Sequence, residues 1–414
     1  MRILWLSHFV PYPPAGGALQ RSYHLLRHAA QRHDVELIAL NQPRLLPTRA
    51  QIDGAVDALS EFCESVRVLA LPAEQSRAHR AANLVQAVVG NAPFDETWLQ
   101  SDEMRRLVAA RRTVSHDLIH ADTVGLWPYV ERVGATPVVL GHHNVESDLV
   151  ERRATHEAVA WRSYLMRRDA AKLRALEARA ARQAAVNIAV SALDAERLAQ
   201  IAHGAAVNVV DNGVDATYWT PSTEPVERGT LMFAGTLGWY PNRDAVEFLL
   251  GEVWPRLAAT QGDRRLLFVG RDPPEAARRA AATDTRVVAT GFVADVRPYF
   301  RRASIFLCPV RVGGGTRLKV LDALAMAKPV ISTAIGVEGL ELNEGEHYLR
   351  AETGAEFVAQ IERLERDPML AAALSAAGRA RVVERYDWSV IGRRLDAAYA
   401  RAMESAPILR SSAS

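Results

Sequence analysis

Short apolar runs alternate with longer segments of helical period from one end of this chain to the other, and this alternation restricts the fold more than any single motif does. A strand that is apolar along both faces has to be covered on both, which helices between parallel strands accomplish. In the first half the runs are Ile3 to Leu6, Val35 to Leu40, Val66 to Leu71, Leu118 to His120, Val138 to Leu140 and Val186 to Ala189. In the second half they are Leu231 to Ala234, Leu266 to Val269, Val287 to Ala289, Ile305 to Leu307 and Val330 to Ser332. At 414 residues the chain exceeds what one hydrophobic core supports. The pattern predicts an α/β protein with two Rossmann-like, doubly wound parallel-sheet domains, 1–211 and 212–385. The boundary falls near Asn212, in Asp211-Asn212-Gly213-Val214-Asp215 ahead of the polar stretch Thr220 to Gly229. Residues 386–414 follow the second sheet: Tyr386-Asp387-Trp388 leads into a helix from Val390 to about Met403 that is expected to cross back to the first domain. The polar tail from Arg410 to Ser414 reads as disordered.

Charge and cysteine content narrow the function classes. A formal net charge of +2 gives no general nucleic-acid footprint. Cys63 and Cys308 lie far apart with no metal-type pairing around them and read as reduced core residues of a cytoplasmic protein. MRILWLSHFV reads as a first strand rather than a signal peptide, and no apolar stretch approaches the roughly 20 residues of a membrane span. The segment 149–183 is dense in arginine and carries Trp161, Tyr164 and Leu165. It has two readings: peripheral contact with anionic membrane, or a solvated helix laced with acids such as Glu157, Asp169 and Glu177.

Chemistry concentrates where strands end. Val310 to Ser332 packs Gly313-Gly314-Gly315, an expected N-cap at Thr316, the cations Arg317 and Lys319 and the carboxylate of Asp322 onto the start of one helix. Backbone amides, the positive end of a helix and two cations suit a diphosphate, and Asp322 suits ribose hydroxyls. Further glycines end other strands: Gly16 and Gly17 after the first, Gly235 ahead of Asn242 and Arg243, Gly270, and Gly291 followed by Val293. The spacing at Gly16-Gly17 is not that of dinucleotide enzymes. His120 and the cluster Gly141-His142-His143-Asn144 mark two more strand ends, where a histidine can bind a sugar or move a proton. The spacing of His120, His142 and His143 matches no standard zinc pattern, and there is no Asp-x-Asp pair to hold a divalent ion, so a metal-independent site is expected.

In these residues the chain resembles the family 4 retaining glycosyltransferases, known also as group 1. The likeness covers nearly the whole chain through Gly16-Gly17, Ile119-His120, Asn212-Gly213-Val214-Asp215, Phe233-Ala234-Gly235, Gly270, Gly291-Phe292-Val293, the Gly313 to Ile331 block and Trp388. It implies the GT-B fold, in which two Rossmann-like domains face a central cleft, with the acceptor on the first domain and the nucleotide-sugar donor on the second. The family's Glu-x7-Glu motif falls on Gly314 and Asp322, so the carboxylate assigned to ribose is kept and the glutamate assigned to the donor sugar is replaced. The arginine and lysine that the family places in the first turn of the second domain correspond to Thr236 and approximately Asn242, and the charge has moved to Arg317 and Lys319.

The implied activity is transfer of a sugar from a UDP- or GDP-sugar to a saccharide or lipid-linked acceptor with retention of configuration, in cell-surface polysaccharide or glycolipid synthesis and without a cofactor. His120, Arg317 and Lys319 are the expected catalytic groups. Gly16, Gly17, His143, Asn144, Gly235, Asn242, Gly291, Val293, Gly314, Gly315, Thr316 and Asp322 are the expected binding groups. The alternatives are a UDP-sugar epimerase or nucleotide-sugar hydrolase on the same fold, and a non-catalytic binding module.

Overall fold

A computed structural model describes residues 1–14, 16–111, 116–222, 224–260 and 263–405. The tail from 410 to 414 lies outside the described residues. Close contacts divide the chain into two compact units, Met1–Asp211 with the C-terminal segment from Ile391, and Asn212–Val390.

In the first unit β1 (Arg2–Ser7), β2 (Asp34–Asn41), β3 (Ser65–Ala70), β4 (Leu118–Ala121), β5 (Val138–His142), β6 (Val186–Ala189) and β7 (Val207–Val209) form one sheet. The order is β3-β2-β1-β4-β5-β6-β7, and every neighbouring pair is parallel. The chain therefore winds one way from β1 to β3 and the other from β4 to β7. The crevice at the switch lies between the carboxyl ends of β1 and β4, where open α/β sheets bind ligands. The core on one face gathers Leu4, Leu6, Ile38, Leu40, Ile119 and Leu140, all buried.

In the second unit β8 (Thr230–Ala234), β9 (Arg265–Val269), β10 (Val287–Ala289), β11 (Ile305–Cys308), β12 (Val330–Ser332) and β13 (Leu349–Arg350) form a six-stranded parallel sheet. Its order, β10-β9-β8-β11-β12-β13, places the switch between β8 and β11. Phe233, Phe268 and Phe306 are fully buried here, and Phe306 stacks on Phe300 at 5.3 Å between ring centroids. The two doubly wound parallel sheets are those the apolar pattern predicts.

Three local expectations change. The arginine-rich segment is two helices, Glu146–Thr155 and Ala160–Gln183, rather than one. The last helix starts at Trp388, ahead of Val390, and runs to Ser405. Of the acids taken as surface partners for the arginines, Glu177 is fully buried and Asp169 accepts a bond from the Phe94 amide at 2.9 Å. Among the described residues no helix is long and apolar enough to cross a membrane.

Candidate functional site

The second unit builds one candidate site where β8, β9 and β11 end. Gly235 and Gly270 follow β8 and β9 at φ +143° and +139°. A Cβ on Gly270 would fall 1.8 Å from the carbonyl oxygen of Gly235, so only glycine lets these two strand ends approach. A Cβ on Gly235 would lie 2.9 Å from the ammonium of Lys319 and 3.1 Å from the Asn242 amide nitrogen. The bare backbone of Gly235 therefore forms one wall of the space that holds a cation.

That cation is Lys319, on the first turn of the helix Leu318–Ala325. Its Nζ donates to Asn242 Oδ1 at 2.6 Å and sits 4.1 Å from the centroid of the Phe233 ring. Asn242, near the start of the helix Tyr240–Phe248, is itself fixed by donating from Nδ2 to the Thr236 carbonyl at 2.7 Å. Burial lowers the Lys319 ammonium to about 8, aided by the nearby Arg317 and opposed by Cys308 and Asp322. Burial also pushes the Asp322 carboxyl well above the usual carboxylate range, with Lys319 pulling the other way. Asp322 Oδ1 is buried with no hydrogen-bond partner, an acceptor in place without a donor.

Two loop residues sit differently from their sequence expectation. Thr316 is not the N-cap: that position is Arg317, in an extended conformation with no side-chain capping bond, and the Thr316 hydroxyl receives a hydrogen bond from Asn212 Nδ2. Thr316 thus tethers the glycine loop to the Asn-Gly-Val-Asp segment. The Arg317 guanidinium folds back and donates from Nη1 to the carbonyls of Gly314 and Gly315, so it braces its own loop. Gly313 turns at φ +109° against Pro241. Gly291, at φ +69°, bridges to Gly270, while the Val293 side chain packs on the core and leaves Phe292 between them 74% exposed. Asn212 is placed by a neighbouring contact: a Cβ on Gly213 would lie 2.7 Å from the Trp388 ring, which explains the pairing of that motif with Tyr386-Asp387-Trp388.

The first unit builds a second candidate site at its own topological switch. Of the histidines read from the sequence, two are inside. His120 lies within β4, fully buried, stacked 3.7 Å from Trp5 at 8° and bonded through Nδ1 to the Tyr399 hydroxyl at 2.9 Å. Burial lowers its imidazole to about 3, and the nearby Asp122 only partly opposes that. His120 is therefore not a rim residue, because its side chain is enclosed by its neighbours. His142 ends β5 facing Asn187 at 3.0 Å, and burial lowers it to about 4. What reaches the rim is His143, half-buried with Nε2 3.4 Å from Asp122 Oδ1, together with Asn144, which donates to Glu146 Oε1 at 3.3 Å.

Asp122 is 2% exposed and central. Its Oδ2 accepts from Ser22 Oγ at 2.7 Å and from Ser7 Oγ at 3.4 Å, and His8 Nδ1 stands 3.9 Å away. Burial alone would raise this carboxyl, but the charges of the neighbouring His143, His8 and His120 outweigh it and hold the group well below the usual range. Burial and the neighbouring His143 keep His8 neutral, at about 3. No motif marks His8 in the sequence; its signal is its place as the first residue after β1, a place that Asp122 and His143 share after β4 and β5. Gly16 and Gly17 are exposed at the start of the helix Gly17–Ala30, with open space around Gly16.

Residues 15–218 match the Glycosyltransferase Family 4 family and residues 228–367 match Glycosyl transferases group 1. The chain belongs to the family 4 glycosyltransferases. A curated relative of this family member is the GDP-mannose-dependent monoacylated alpha-(1-6)-phosphatidylinositol monomannoside mannosyltransferase of Corynebacterium glutamicum, 27% identical over 216 residues. That match takes in 44% of this chain and 53% of the relative, so the chain spans about half the length of the curated relative it matches. Among solved structures, Anabaena HepE in complex with UDP is similar with a TM-score of 0.68 at 16% identity, over 97% of this chain and 100% of that one. Sucrose-phosphate synthase of Thermosynechococcus elongatus gives 0.70 at 18% identity, over 98% and 100%. The chain thus has the GT-B type of fold.

Proposed function

We propose that this glycosyltransferase moves a sugar from a UDP- or GDP-sugar to a saccharide or lipid-linked acceptor with retention of configuration, and that Lys319 receives the charge of the leaving diphosphate. The observation that carries this reading is the ammonium of Lys319, fixed by Asn242 and Phe233 beside the bare backbone of Gly235. A pre-placed cation that needs no reorganisation is what a departing diphosphate rewards. The loop Gly313 to Thr316, braced by Arg317, would present amides to the phosphates, Asp322 Oδ1 would take a ribose hydroxyl, and the backbone of Gly291 to Val293 would face the base. With Lys319 in that place the reading assigns no divalent ion to the diphosphate. The acceptor hydroxyl attacks the anomeric carbon as the bond to phosphate breaks, and its proton passes to the departing phosphate oxygen on the same face. Gly16, Gly17, His143 and Asn144 would hold the acceptor, with His120 a positioning residue through β4.

Support for the nucleotide comes from HepE, whose structure contains UDP, and from the corynebacterial relative, which uses GDP-mannose. A lipid-linked acceptor, and synthesis of cell-surface glycans at the cytoplasmic membrane face, is supported by exposed Leu84, Val85 and Val89 on the helix Arg77–Val89. Exposed Trp161 and Tyr164 lie on the arginine-rich helix Ala160–Gln183 that touches it.

The test is a thermal-shift panel of nucleotide diphosphate sugars on the wild-type protein and Lys319→Ala. One donor should raise the wild-type melting temperature by mass action, with most of that gain lost in the variant. Product from that donor with an acceptor should keep the anomeric configuration by NMR. Equal stabilisation of both proteins removes Lys319 from the site, and donor turnover without any acceptor replaces transfer with hydrolysis or epimerisation.

A further inference from the structure

We propose that His8, Asp122 and His143 form a binding site for a divalent first-row transition ion at the switch point of the first unit's sheet. His120, His142 and His143 lack ligand spacing in the sequence, and among the described residues the fold does not gather those three into one ligand group. It gathers another set. Each member is the first residue beyond the carboxyl end of one of the three adjacent strands β1, β4 and β5. Their ligand atoms all lie within 4.8 Å of one another, and among the described residues this is the one such group of three.

The separations fit a shared ion better than direct bonds. His143 Nε2 is 3.4 Å from Asp122 Oδ1, and His8 Nδ1 is 3.9 Å from Asp122 Oδ2. Good hydrogen bonds between such groups are about 2.9 Å long. Two nitrogen or oxygen ligands each about 2.1 Å from one ion stand roughly 3.4 Å apart in tetrahedral geometry. Both nitrogens are buried and make no hydrogen bond of their own. Two imidazoles and one carboxylate are the donor set of open metal sites, which keep a further position for water or ligand. The carboxylate also has the outer support such ligands need, since Ser22 Oγ donates to Asp122 Oδ2 at 2.7 Å.

This site belongs to the first unit and is independent of the donor reading, so either can fail alone. The experiment uses the full chain without a polyhistidine tag, stripped with chelator and titrated with Co2+ while visible absorption and native mass are followed. One Co2+ per chain should bind with d–d bands of low-symmetry coordination, and Zn2+ should displace it. His8→Ala and His143→Ala should each weaken binding by about a hundredfold or more, and Ser22→Ala by about tenfold to a hundredfold. The melting temperature of the stripped protein should stay close to wild type in His8→Ala; His8→Gln serves as a second variant should alanine unfold the chain. Wild type and His8 variants taking up Co2+ equally, or wild type taking up none, would overturn the site.

Discussion

The ammonium of Lys319 sits 2.6 Å from the side-chain oxygen of Asn242, a residue 77 positions earlier in the chain. The helix Leu318–Ala325 thus delivers its cation to the start of the helix Tyr240–Phe248. The consequence is a site whose charge depends on burial. With Lys319 lowered to about 8, the ammonium is full at pH 6 to 7 and is lost as pH rises through 8. Nucleotide diphosphate affinity, measured by calorimetry, should be flat between pH 6 and 7 and fall toward tenfold per pH unit well above 8. Lys319→Arg should abolish that decline, because a guanidinium stays charged throughout. An unchanged decline in the arginine variant would place the titrating group elsewhere.

Arg317 performs a different task from Lys319. Its Nη1 spans two loop carbonyls, those of Gly314 and Gly315, and a lysine has no planar fork to hold both in one geometry. Arg317→Lys, charge-conserving, should therefore behave much like Arg317→Ala. Both should weaken nucleotide binding by about tenfold, the order of one lost charge-assisted hydrogen bond. A lysine variant that binds like wild type would mean that charge alone matters there.

The glycines after β8 and β9 should separate folding from binding. At Gly270 an added methyl meets the backbone carbonyl of Gly235 at 1.8 Å, so Gly270→Ala forces strand ends apart and should cost about 3 kcal/mol or more in urea unfolding. At Gly235 the methyl meets the flexible end of Lys319 at 2.9 Å, which can move aside. Gly235→Ala should cost about 1–2 kcal/mol from its φ of +143° while lowering nucleotide affinity by more than that loss accounts for. Similar stability for the two variants would argue against this difference.

The strand interiors were legible because runs such as Leu231 to Ala234 and Ile305 to Leu307 are apolar on both faces, which only a covered parallel sheet satisfies. Two of the four sheet edges were not: β7 and β13 have three and two residues, too few to show a period. The glycine loop and its cations were legible as a group, but their directions were not, since Thr316 looked like a cap and pairs with Asn212 instead. Lys319 with Asn242, and His8 with Asp122 and His143, are joined only by strand order, which spacing along the chain does not encode. Glu177 misled for the converse reason: an acid amid arginines at helical spacing looks solvated, yet the packing of two helices encloses it.

That enclosed Glu177 governs the segment just after His143. Its Oε1 accepts from the amides of Glu146 at 2.6 Å and Ser147 at 3.3 Å, and its Oε2 from the Ser147 hydroxyl, satisfying the first turn of the helix Glu146–Thr155. Burial pushes the carboxyl up to about 7 despite these bonds, with Asp148 adding to the shift. The folded state therefore binds a proton more tightly than the unfolded chain does. The stability this group contributes is full below about pH 4.5, declines as pH rises toward 7 and is constant above that. Glu146, raised to about 8, and Asp95, raised to about 6, act with the same sign, so the wild-type protein should lose stability from pH 5 to 8. Glu177→Gln keeps the acceptor for both amides and cannot ionise. It should flatten part of that decline and leave the variant more stable than wild type at pH 8. Glu177→Ala removes the cap and should lower stability at pH 5 by about 1–3 kcal/mol. Urea midpoints at the two pH values decide the matter: a glutamine variant with the wild-type slope would show that Glu177 does not titrate in this range.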